Sequence, residues 1–185
     1  MHLLIGLGVT NLAVRDALHR RGYDTVVVDD KDTGGVPDLD EYERLLRDAD
    51  ALVPSPGVGD VHPALDLARR AGVPIQSEFD LASQWDDRPV LAITGTDGKT
   101  TVTTLTTSML QASGVRATAA GNTEVPLVAA IDDPEVDVFV VEASSFRIDH
   151  SSHFAPHVGT WLNFSADHLN LHRSLESYEN AKAKG

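Results

Sequence analysis

A short glycine-rich segment between a predicted strand and a predicted helix has the composition of a phosphate-binding loop. Residues 94–101 read Thr-Gly-Thr-Asp-Gly-Lys-Thr-Thr and directly follow the apolar run 90–93. Glycines allow backbone N–H groups to turn toward an anion, a lysine can reach terminal phosphates, and a threonine hydroxyl can bind Mg²⁺. The helix that follows adds the positive end of its dipole. We therefore predict an ATP site, with loop contacts from Gly95, Thr96, Asp97, Gly98, Lys99, Thr100 and Thr101.

The spacing of the two glycines in this loop differs from that of the general P-loop. The general motif places four residues between its glycines, whereas Gly95 and Gly98 are separated by two. The alternative interpretation is an ordinary strand–turn–helix junction. We favour phosphate binding because Gly-Lys-Thr-Thr directly after an apolar strand is an uncommon combination.

A carboxylate is expected at the same end of the predicted sheet. Glu142 ends the apolar run 136–142, which has the composition of a buried parallel strand. Ligands of open α/β sheets bind beyond the carboxyl ends of the strands, so a carboxylate beside the phosphate loop could hold Mg²⁺. The alternative is a helix cap or a salt-bridged acid.

A second glycine-rich turn follows the first predicted strand. Gly6 and Gly8 form a Gly-x-Gly pair, and Asp29 and Asp30 come just after the second strand, as in a dinucleotide-binding fingerprint. The position of the third glycine is occupied by Asn11, which argues against a nicotinamide-dependent oxidoreductase. Two interpretations stay open: an aspartate that contacts a base or ribose, and a tight turn beside a solvated acidic loop.

Two histidines lie four residues apart near the C-terminal end of the chain. On a helix, His168 and His172 would share a face, and with nearby carboxylates they could bind zinc or another transition metal. The alternative is a polar surface feature, which is the commoner role of such a pair.

The composition excludes several classes of function. The 185 residues carry 15 basic and 28 acidic side chains, and this net charge of −13 argues against a nucleic-acid partner, which requires a basic surface. The chain has no cysteine, which excludes disulfides, thiolate nucleophiles and cysteine-bound zinc. No apolar run approaches the roughly 18 residues of a membrane span, and the first residues lack the basic start of a signal peptide. We expect a cytoplasmic protein that does not bind membranes.

The elements that must position these residues alternate between short apolar runs and longer amphipathic stretches. The first half contains a βαβαβ pattern within an alternation of four strands and four helices, and this pattern predicts a parallel sheet. Its strands are expected at 3–5, 25–28, 51–53 and 73–75, and its helices at 11–21, 39–47, 62–70 and 78–84. A polar stretch places a boundary near residue 88. Beyond it, strands are expected at 90–93, 115–119, 136–142 and 158–163, and helices at 100–113, 126–131 and 175–184.

This pattern predicts an α/β protein with two domains. Residues 1–88 form a Rossmann-like parallel-sheet domain, and residues 89–185 form an incomplete P-loop-type α/β ATP-binding domain. An α/β nucleotide-binding domain normally continues with further strands, whereas the last predicted helix runs to the end of this chain. The chain is therefore expected to be part of a longer protein.

Taken in chain order, these motifs resemble those of the Mur ligase family. The resemblance extends over essentially the whole chain, and it is greatest to the branch that adds D-glutamate to UDP-N-acetylmuramoyl-L-alanine. The short phosphate loop, unusual for a general P-loop, is similar to that family's own version. The motifs that carry the resemblance lie at residues 6–10, 55–57, 94–101, 121–122 with 126, 142–146, 163 with 167–169, and 178 with 181–182.

The resemblance implies where the substrates bind. The first domain would hold the UDP end of UDP-N-acetylmuramoyl-L-alanine, and the second would bind ATP and Mg²⁺. A third, C-terminal domain, which this chain lacks, would close over the site. The expected substrate contacts are Gly8, Thr10, Asn11, Asp29, Ser55, Gly57, Asn122 and Ser144.

The resemblance also implies the chemistry. The carboxylate of the muramoyl-alanine attacks the γ-phosphate of ATP, and the amine of D-glutamate then attacks the acyl phosphate. Lys99 would steady the β- and γ-phosphates, Thr100 and Glu142 would hold one Mg²⁺, and His168 and Lys182 would serve a second, so Lys99, Glu142, His168 and Lys182 are the expected catalytic residues. Lys182 would first be carbamylated by CO₂, since an ammonium group cannot bind Mg²⁺. The protein is expected to be a monomer.

Several positions depart from the residues that are usual in the family. Asn11 replaces Gly, Asp97 replaces Asn, Arg147 replaces Gln, residues 123–124 read Thr-Glu instead of Ile-Gly, and residues 170–171 read Asn-Leu instead of Asp-Arg. Three alternatives therefore remain at this point: another Mur ligase, a ligase similar to folylpolyglutamate synthase, and a nucleotide-binding module without catalytic activity.

Overall fold

The computed structural model describes residues 1–34, 38–166 and 174–183. The first part of the chain forms three strands, β1 (His2–Ile5), β2 (Thr25–Val28) and β3 (Ala51–Pro54). They pair in parallel in the order β2–β1–β3. The helices of this part are α1 (Val9–Arg20), a 3₁₀ helix (Asp30–Thr33), α2 (Leu39–Leu46) and α3 (Pro63–Ala71).

The second part begins with α4 (Glu78–Trp85) and contains a sheet of four strands. The strands are β4 (Val90–Thr94), β5 (Ala117–Gly121), β6 (Val138–Glu142) and β7 (Val158–Trp161), all parallel, in the order β5–β6–β4–β7. The helices are α5 (Lys99–Ala112), α6 (Leu127–Ala130), α7 (Ser145–Asp149) and α8 (Leu175–Ala183). The predicted α/β class with parallel sheets is confirmed.

The element bounds differ from the predicted ones mainly where segments are short. The predicted strand at 73–75 is reduced to a single bridge between Leu52 and Ile75, because Pro74 has no N–H group with which to continue a ladder. The 3₁₀ helix and α7 are not among the predicted elements. Each has only four or five residues, too few to show a helical period, whereas the equally short α6 lies within a longer predicted helix at 126–131.

The register of the strands brings the predicted site residues to two edges. In the first sheet, Ile5 is paired with Val28 and with Pro54, so the residues that follow β1, β2 and β3 meet at one edge. In the second sheet, Glu142 is paired with Ile93 and with Gly121, so the phosphate loop and the residues after β5 and β6 meet at another.

One hydrophobic cluster contains side chains from both sheets. Leu4 and Val14 from the first part pack in the same cluster as Phe139 and Val141 from the second, and all four are fully inaccessible to solvent. Arg20 of α1 also forms an ion pair with Asp132, beyond α6. The domain boundary near residue 88 stays a prediction. None of the described helices is long and apolar enough to cross a membrane.

A buried carboxylate holds the irregular segment 150–154 against α4. The Asp80 side chain is fully inaccessible and accepts hydrogen bonds from the backbone N–H groups of Ser152 (3.1 Å), His153 (2.7 Å) and Phe154 (3.0 Å). It also accepts one from the N–H of Ser77 (2.9 Å), which completes a capping box at the start of α4. Residues 152–154 lie outside the described strands and helices, so their N–H groups have no acceptors in a strand ladder or helix turn. Asp80 supplies those acceptors.

We expect Asp80→Asn to lower the free energy of unfolding by about 2–4 kcal/mol, because the bonds lose their charged acceptor and an NH₂ group takes the place of the oxygen that accepts from the N–H of Ser77. The measurement is urea denaturation followed by circular dichroism. Asp66→Asn is the matched control, since Asp66 is half exposed and pairs with Arg69 on one helix; its loss is expected to cost less than about 0.5 kcal/mol. Equal effects of the two substitutions would contradict this account.

Candidate functional site

The predicted phosphate loop joins β4 to α5 as a turn that requires glycine. Gly95 has φ +155° and Gly98 has φ +83°, and Gly98 is the N-cap residue of α5. No side chain in the described part of the chain caps this helix N-terminus. The first turn of a helix carries N–H groups without intrahelical partners and the positive end of the dipole, so the loop ends in a place suited to an anion. Thr100 and Thr101 lie exposed in that first turn.

Two lysines converge on one carbonyl oxygen of this loop. The Lys99 ammonium donates to the carbonyl oxygens of Gly95 (2.9 Å) and Thr96 (2.8 Å). The Lys182 ammonium, on α8, donates to the same Gly95 oxygen (2.7 Å). Lys182 is 2% exposed and lies 4.6 Å from the centre of the Tyr178 ring. The structure thus brings together two of the predicted catalytic residues, from elements that are distant in sequence.

Asn163 forms hydrogen bonds with backbone groups of the phosphate loop. Its side-chain oxygen accepts from the N–H groups of Thr96 (3.1 Å) and Asp97 (3.0 Å), and its amide donates to the Asp97 carbonyl (3.0 Å). These two N–H groups therefore face the protein and not an open site. The sequence assigned no role to Asn163, although its place just after β7, the neighbour of β4, was an available signal.

The Thr96 side chain is also engaged by the protein. Its hydroxyl is 3.2 Å from the Tyr178 hydroxyl, donates to the Ser165 carbonyl and accepts from the Ser165 N–H. Thr96 thus connects the loop to the segment after β7 and to α8.

Glu142 lies at the end of β6 with one carboxylate oxygen unpaired. It is 2% exposed, and its Oε1 accepts a hydrogen bond from the Asn122 side-chain amide (2.9 Å). Its Oε2 has no hydrogen-bond partner among the described residues, and neither has the Ser144 hydroxyl two positions further on. A buried carboxylate oxygen without a partner is costly, and a bound cation would remove that cost.

The histidine predicted to complete the metal site, His168, falls outside the described residues, as does His172. Within the described ranges, no three His, Cys, Asp or Glu side chains are grouped so as to hold a metal ion. Glu142 and Lys182 are the two predicted metal-site residues that the structure places in its buried part.

A cavity of about 340 Å³ opens at the edge of the first sheet. Four of the residues predicted to contact substrate line it, namely Gly8, Asp29, Ser55 and Gly57. The turn after β1 approaches Ser55 closely, since a Cβ atom on Gly6 would lie 3.2 Å from the Ser55 Cβ. Gly6 also has φ +75°, so both its backbone and its surroundings favour glycine.

The Asp29 carboxylate holds two segments of the cavity wall together. It accepts from the N–H of Leu7 (3.0 Å) and from the N–H of Lys31 (3.1 Å). The hydrogen bonds from Lys31 and then Leu7 lower the pKa of Asp29 below its ordinary value. The ionised form accepts these bonds more strongly than the protonated form, so the charge stabilises the turn.

We expect Asp29 to titrate below the ordinary aspartate value of about 3.9 in a carboxyl ¹³C NMR titration. Because its pKa is lower in the folded than in the unfolded chain, its stabilising contribution is complete above about pH 4 and is lost as the pH falls through the folded value. The signal assigned to Asp29 should be missing from the spectrum of an Asp29→Asn variant. A midpoint for Asp29 at or above about 3.9 would contradict the proposed hydrogen bonding.

A second aspartate on this cavity is held by two aromatic side chains. Asp30 accepts from the Tyr42 hydroxyl (2.8 Å), and its other oxygen lies 2.6 Å from Nε2 of His62. Burial and this bond to Asp30 raise the pKa of the Tyr42 phenol. The arrangement keeps the Asp30 side chain at the cavity wall, where the sequence left its role open.

Thr10 and Asn11, two further predicted substrate contacts, are buried behind this cavity. Asn11 is fully inaccessible, and its amide donates to the carbonyls of Ile5 (3.0 Å), Gly6 (2.9 Å) and Val53 (3.3 Å). It therefore ties the turn after β1 to β3. Thr10 is 5% exposed and accepts a hydrogen bond from Arg147.

Comparisons with known proteins agree on one family. Residues 93–184 match the Mur ligase middle domain. The UDP-N-acetylmuramoylalanine–D-glutamate ligases of Desulfosudis oleivorans and Legionella pneumophila (strain Paris) are 37% and 35% identical over 98% and 100% of this chain. The same enzyme of Desulfotalea psychrophila is 46% identical over 75% of it.

The chain spans less than half the length of these curated relatives, 43% and 44% of the first two. A solved structure, the UDP-N-acetylmuramate:L-alanyl-γ-D-glutamyl-meso-diaminopimelate ligase from Neisseria meningitides, matches 99% of the chain and 66% of its own length with a TM-score of 0.56. At 17% sequence identity, this match shows similarity of fold only.

Proposed function

The chain belongs to the Mur ligase family, and on that premise we propose that the protein uses ATP to join D-glutamate to UDP-N-acetylmuramoyl-L-alanine in peptidoglycan precursor synthesis. The relatives that carry the name of this activity match the chain along nearly its whole length. The observation that carries the proposal is the edge of the second sheet. There a lysine-bearing glycine loop lies beside a buried carboxylate, one oxygen of which has no hydrogen-bond partner among the described residues.

The phosphate loop would receive the triphosphate of ATP. The N-terminus of α5 supplies N–H groups and a positive dipole, and Lys99 is the side chain of the loop that carries a full positive charge. In the structure Lys99 donates to two loop carbonyls. We infer that it exchanges these bonds for the β- and γ-phosphates, where its positive charge would stabilise the negative charge of the transferred phosphoryl group.

The residues at this edge fit a Mg²⁺ ion. Glu142 offers a carboxylate oxygen that no residue in the described ranges hydrogen-bonds, and Thr100 offers a hydroxyl in the first turn of α5. When bound, the ion would neutralise charge on the transferred phosphoryl group. Asn122 would orient the Glu142 carboxylate through its hydrogen bond to Oε1.

A second ion would be held by His168 and by Lys182 after its carbamylation. Lys182 lies buried beside the phosphate loop, and a carbamate there would present oxygen ligands that an ammonium group lacks. Carbon-13 NMR of the complete protein in ¹³C-bicarbonate buffer at neutral pH would detect the carbamate carbon. A carbamate signal that is absent from wild type, or that persists in a Lys182→Ala variant, would remove Lys182 from the metal site.

The cavity of the first sheet would bind the UDP end of the substrate. Its wall carries the ionised Asp29 and the hydroxyl of Ser55, which suit the polar edges of a base and a ribose. The diphosphate would extend from there toward Thr10, Asn122 and Ser144. The carboxylate of the L-alanine residue would then attack the γ-phosphorus of ATP with departure of ADP, and the amine of D-glutamate would displace phosphate from the acyl phosphate.

Release of phosphate by the complete protein tests this function. With UDP-N-acetylmuramoyl-L-alanine, ATP and Mg²⁺ present, we expect release that depends on D-glutamate and is not supported by L-glutamate, L-lysine or meso-diaminopimelate. Dependence on another amino acid would identify a different Mur ligase. Binding of the two nucleotides without any release would identify a non-catalytic module. We propose in addition that the protein is a cytoplasmic monomer, which light scattering of the purified protein would test.

A further inference from the structure

A buried ion pair connects the segments that carry the predicted substrate contacts of both sheets. Arg147 on α7 pairs with Glu78 on α4, and the two side chains are 8% and 2% exposed. The second terminal nitrogen of Arg147 donates to the hydroxyl of Thr10 on α1 at 2.9 Å. The other oxygen of Glu78 accepts from the N–H of Val128 on α6 at 3.1 Å. Four helices thus meet at one pair of charges.

Three of these helices begin within five residues of a predicted contact to the UDP-sugar. α1 follows the Gly6–Gly8 turn, α6 follows Asn122, and α7 follows Ser144, its N-cap residue. The small cavity beside Arg147 is also lined by Pro54 and Pro56, which flank Ser55. The ion pair therefore sets the position of substrate-side segments from the first sheet relative to those from the second.

The hydrogen bond from Arg147 also determines what Thr10 can do. A hydroxyl has one hydrogen to donate and two lone pairs to accept with. Arg147, which can only donate, occupies one lone pair, so the Thr10 hydrogen is left to point at an acceptor. A hydroxyl that accepts from a guanidinium is also a stronger donor, because hydrogen bonds in series polarise each other. Such a donor matches an anionic oxygen.

Burial raises the pKa of Glu78, whereas the Arg147 charge and the N–H groups of Val128 and Leu127 act in the opposite direction. Removal of either charge would leave the other buried without compensation. The pair is therefore a rigid unit and not an adjustable surface contact, and its geometry is what places Thr10.

We propose that the Glu78–Arg147 ion pair is a positioning unit that orients the Thr10 hydroxyl as a donor to the diphosphate of the UDP-sugar. This inference rests on the proposed function for the identity of the ligand. Arg147 and Glu78 act through Thr10 and through the placement of α1, α6 and α7, and neither touches the reacting atoms. The ion pair is expected to affect binding of the sugar nucleotide and not binding of ATP. In the described part of the chain, the hydrogen-bond partners of Glu78 and Arg147 lie outside the phosphate loop.

Calorimetry with two ligands separates positioning from general loss of structure. We expect Arg147→Gln in the complete protein to weaken binding of UDP-N-acetylmuramoyl-L-alanine about tenfold, the scale of one charge-assisted hydrogen bond, while the Kd of Mg·ATP changes less than about twofold. In turnover, KM for the sugar nucleotide should rise by the same factor and KM for ATP should not. Arg20→Gln is the matched control, since Arg20 pairs with Asp132 between the same parts of the chain but lies away from Thr10.

Substitutions at Thr10 keep the test decisive if Arg147→Gln unfolds. Thr10→Val removes the hydroxyl at nearly constant volume and should weaken sugar-nucleotide binding as much as Arg147→Gln. Thr10→Ser keeps the hydroxyl and should bind the sugar nucleotide about as tightly as the wild type. The double variant should bind no more weakly than either single one, because both remove the same interaction. Unchanged affinity in a folded Arg147→Gln or Thr10→Val variant, or additive losses, would overturn the proposal. A wild-type protein that binds no UDP-sugar would instead overturn the proposed function, and with it the ligand named here.

Discussion

Lys99→Ala is expected to lower D-glutamate-dependent phosphate release about 10²–10³-fold, because the loop loses a full positive charge aimed at the transferred phosphoryl group. The fold should be nearly unaffected. Lys99 bonds to the carbonyls of Gly95 and Thr96, which are hydrogen bonds of about 1 kcal/mol each, and its side chain is only partly buried. The measurement is kcat and KM for ATP in the complete protein, together with the melting temperature.

The control for this prediction is a cation of similar length away from the site. Arg116 is half exposed and pairs with Glu135 and Asp137 at the protein surface, so Arg116→Ala should leave turnover unchanged. A Lys99→Ala protein with near-normal kcat would remove Lys99 from catalysis. A Lys99→Ala protein that lost activity only because it unfolded would show a large fall in melting temperature, contrary to the expected fall of a few degrees at most.

Gly121→Ala is expected to destabilise the protein by about 3 kcal/mol or more, since two penalties act together. Gly121 has φ +93°, where side chains are strained, and an added Cβ atom would lie 2.5 Å from the carbonyl oxygen of Glu142 and 2.9 Å from Cγ1 of Val141. The backbone of β5 or β6 must therefore move at the position from which Glu142 projects. Urea denaturation measures the loss, and activity should fall with it.

A second glycine in the left-handed region separates the two penalties. Gly22 has φ +81°, but no atom of the described residues lies within 4 Å of the position that an added Cβ would take. Gly22→Ala should therefore cost only about 1–2 kcal/mol, from backbone conformation alone. The difference between the two variants is the cost of the close approach of β5 to β6. Equal losses of unfolding free energy in the two variants would show that β5 and β6 accommodate the added Cβ atom at no cost.

The features that the sequence predicted are those with local signals. The phosphate loop is eight consecutive residues of distinctive composition, and Glu142 ends a continuous apolar run, so their places at the carboxyl edge of a parallel sheet follow from the pattern. The turn after β1 and Asp29 after β2 are likewise recognisable from a few consecutive residues. The alternation of strands and helices was sufficient to predict where these parts of the site lie.

The features that it did not predict depend on contacts between residues far apart in the chain. Arg147 lies 69 positions from Glu78 and 137 positions from Thr10, and no spacing rule relates them. Asn163 reaches the phosphate loop 66 and 67 positions away. Asn11 breaks the glycine fingerprint, but its amide bonds to three carbonyls that only the folded sheet brings together. Such partners become visible when the topology is known.

The way in which Asp80 holds residues 152–154 has a consequence for local motion. Amide protons in irregular segments usually exchange with solvent quickly, because local opening requires little free energy. Here three successive amides end on one carboxylate inside the core, next to the stacked rings of Phe79 and Phe154. These amides can exchange only when α4 separates from that segment. The stretch should therefore be as slow to exchange, and as resistant to proteases, as the strands of the second sheet.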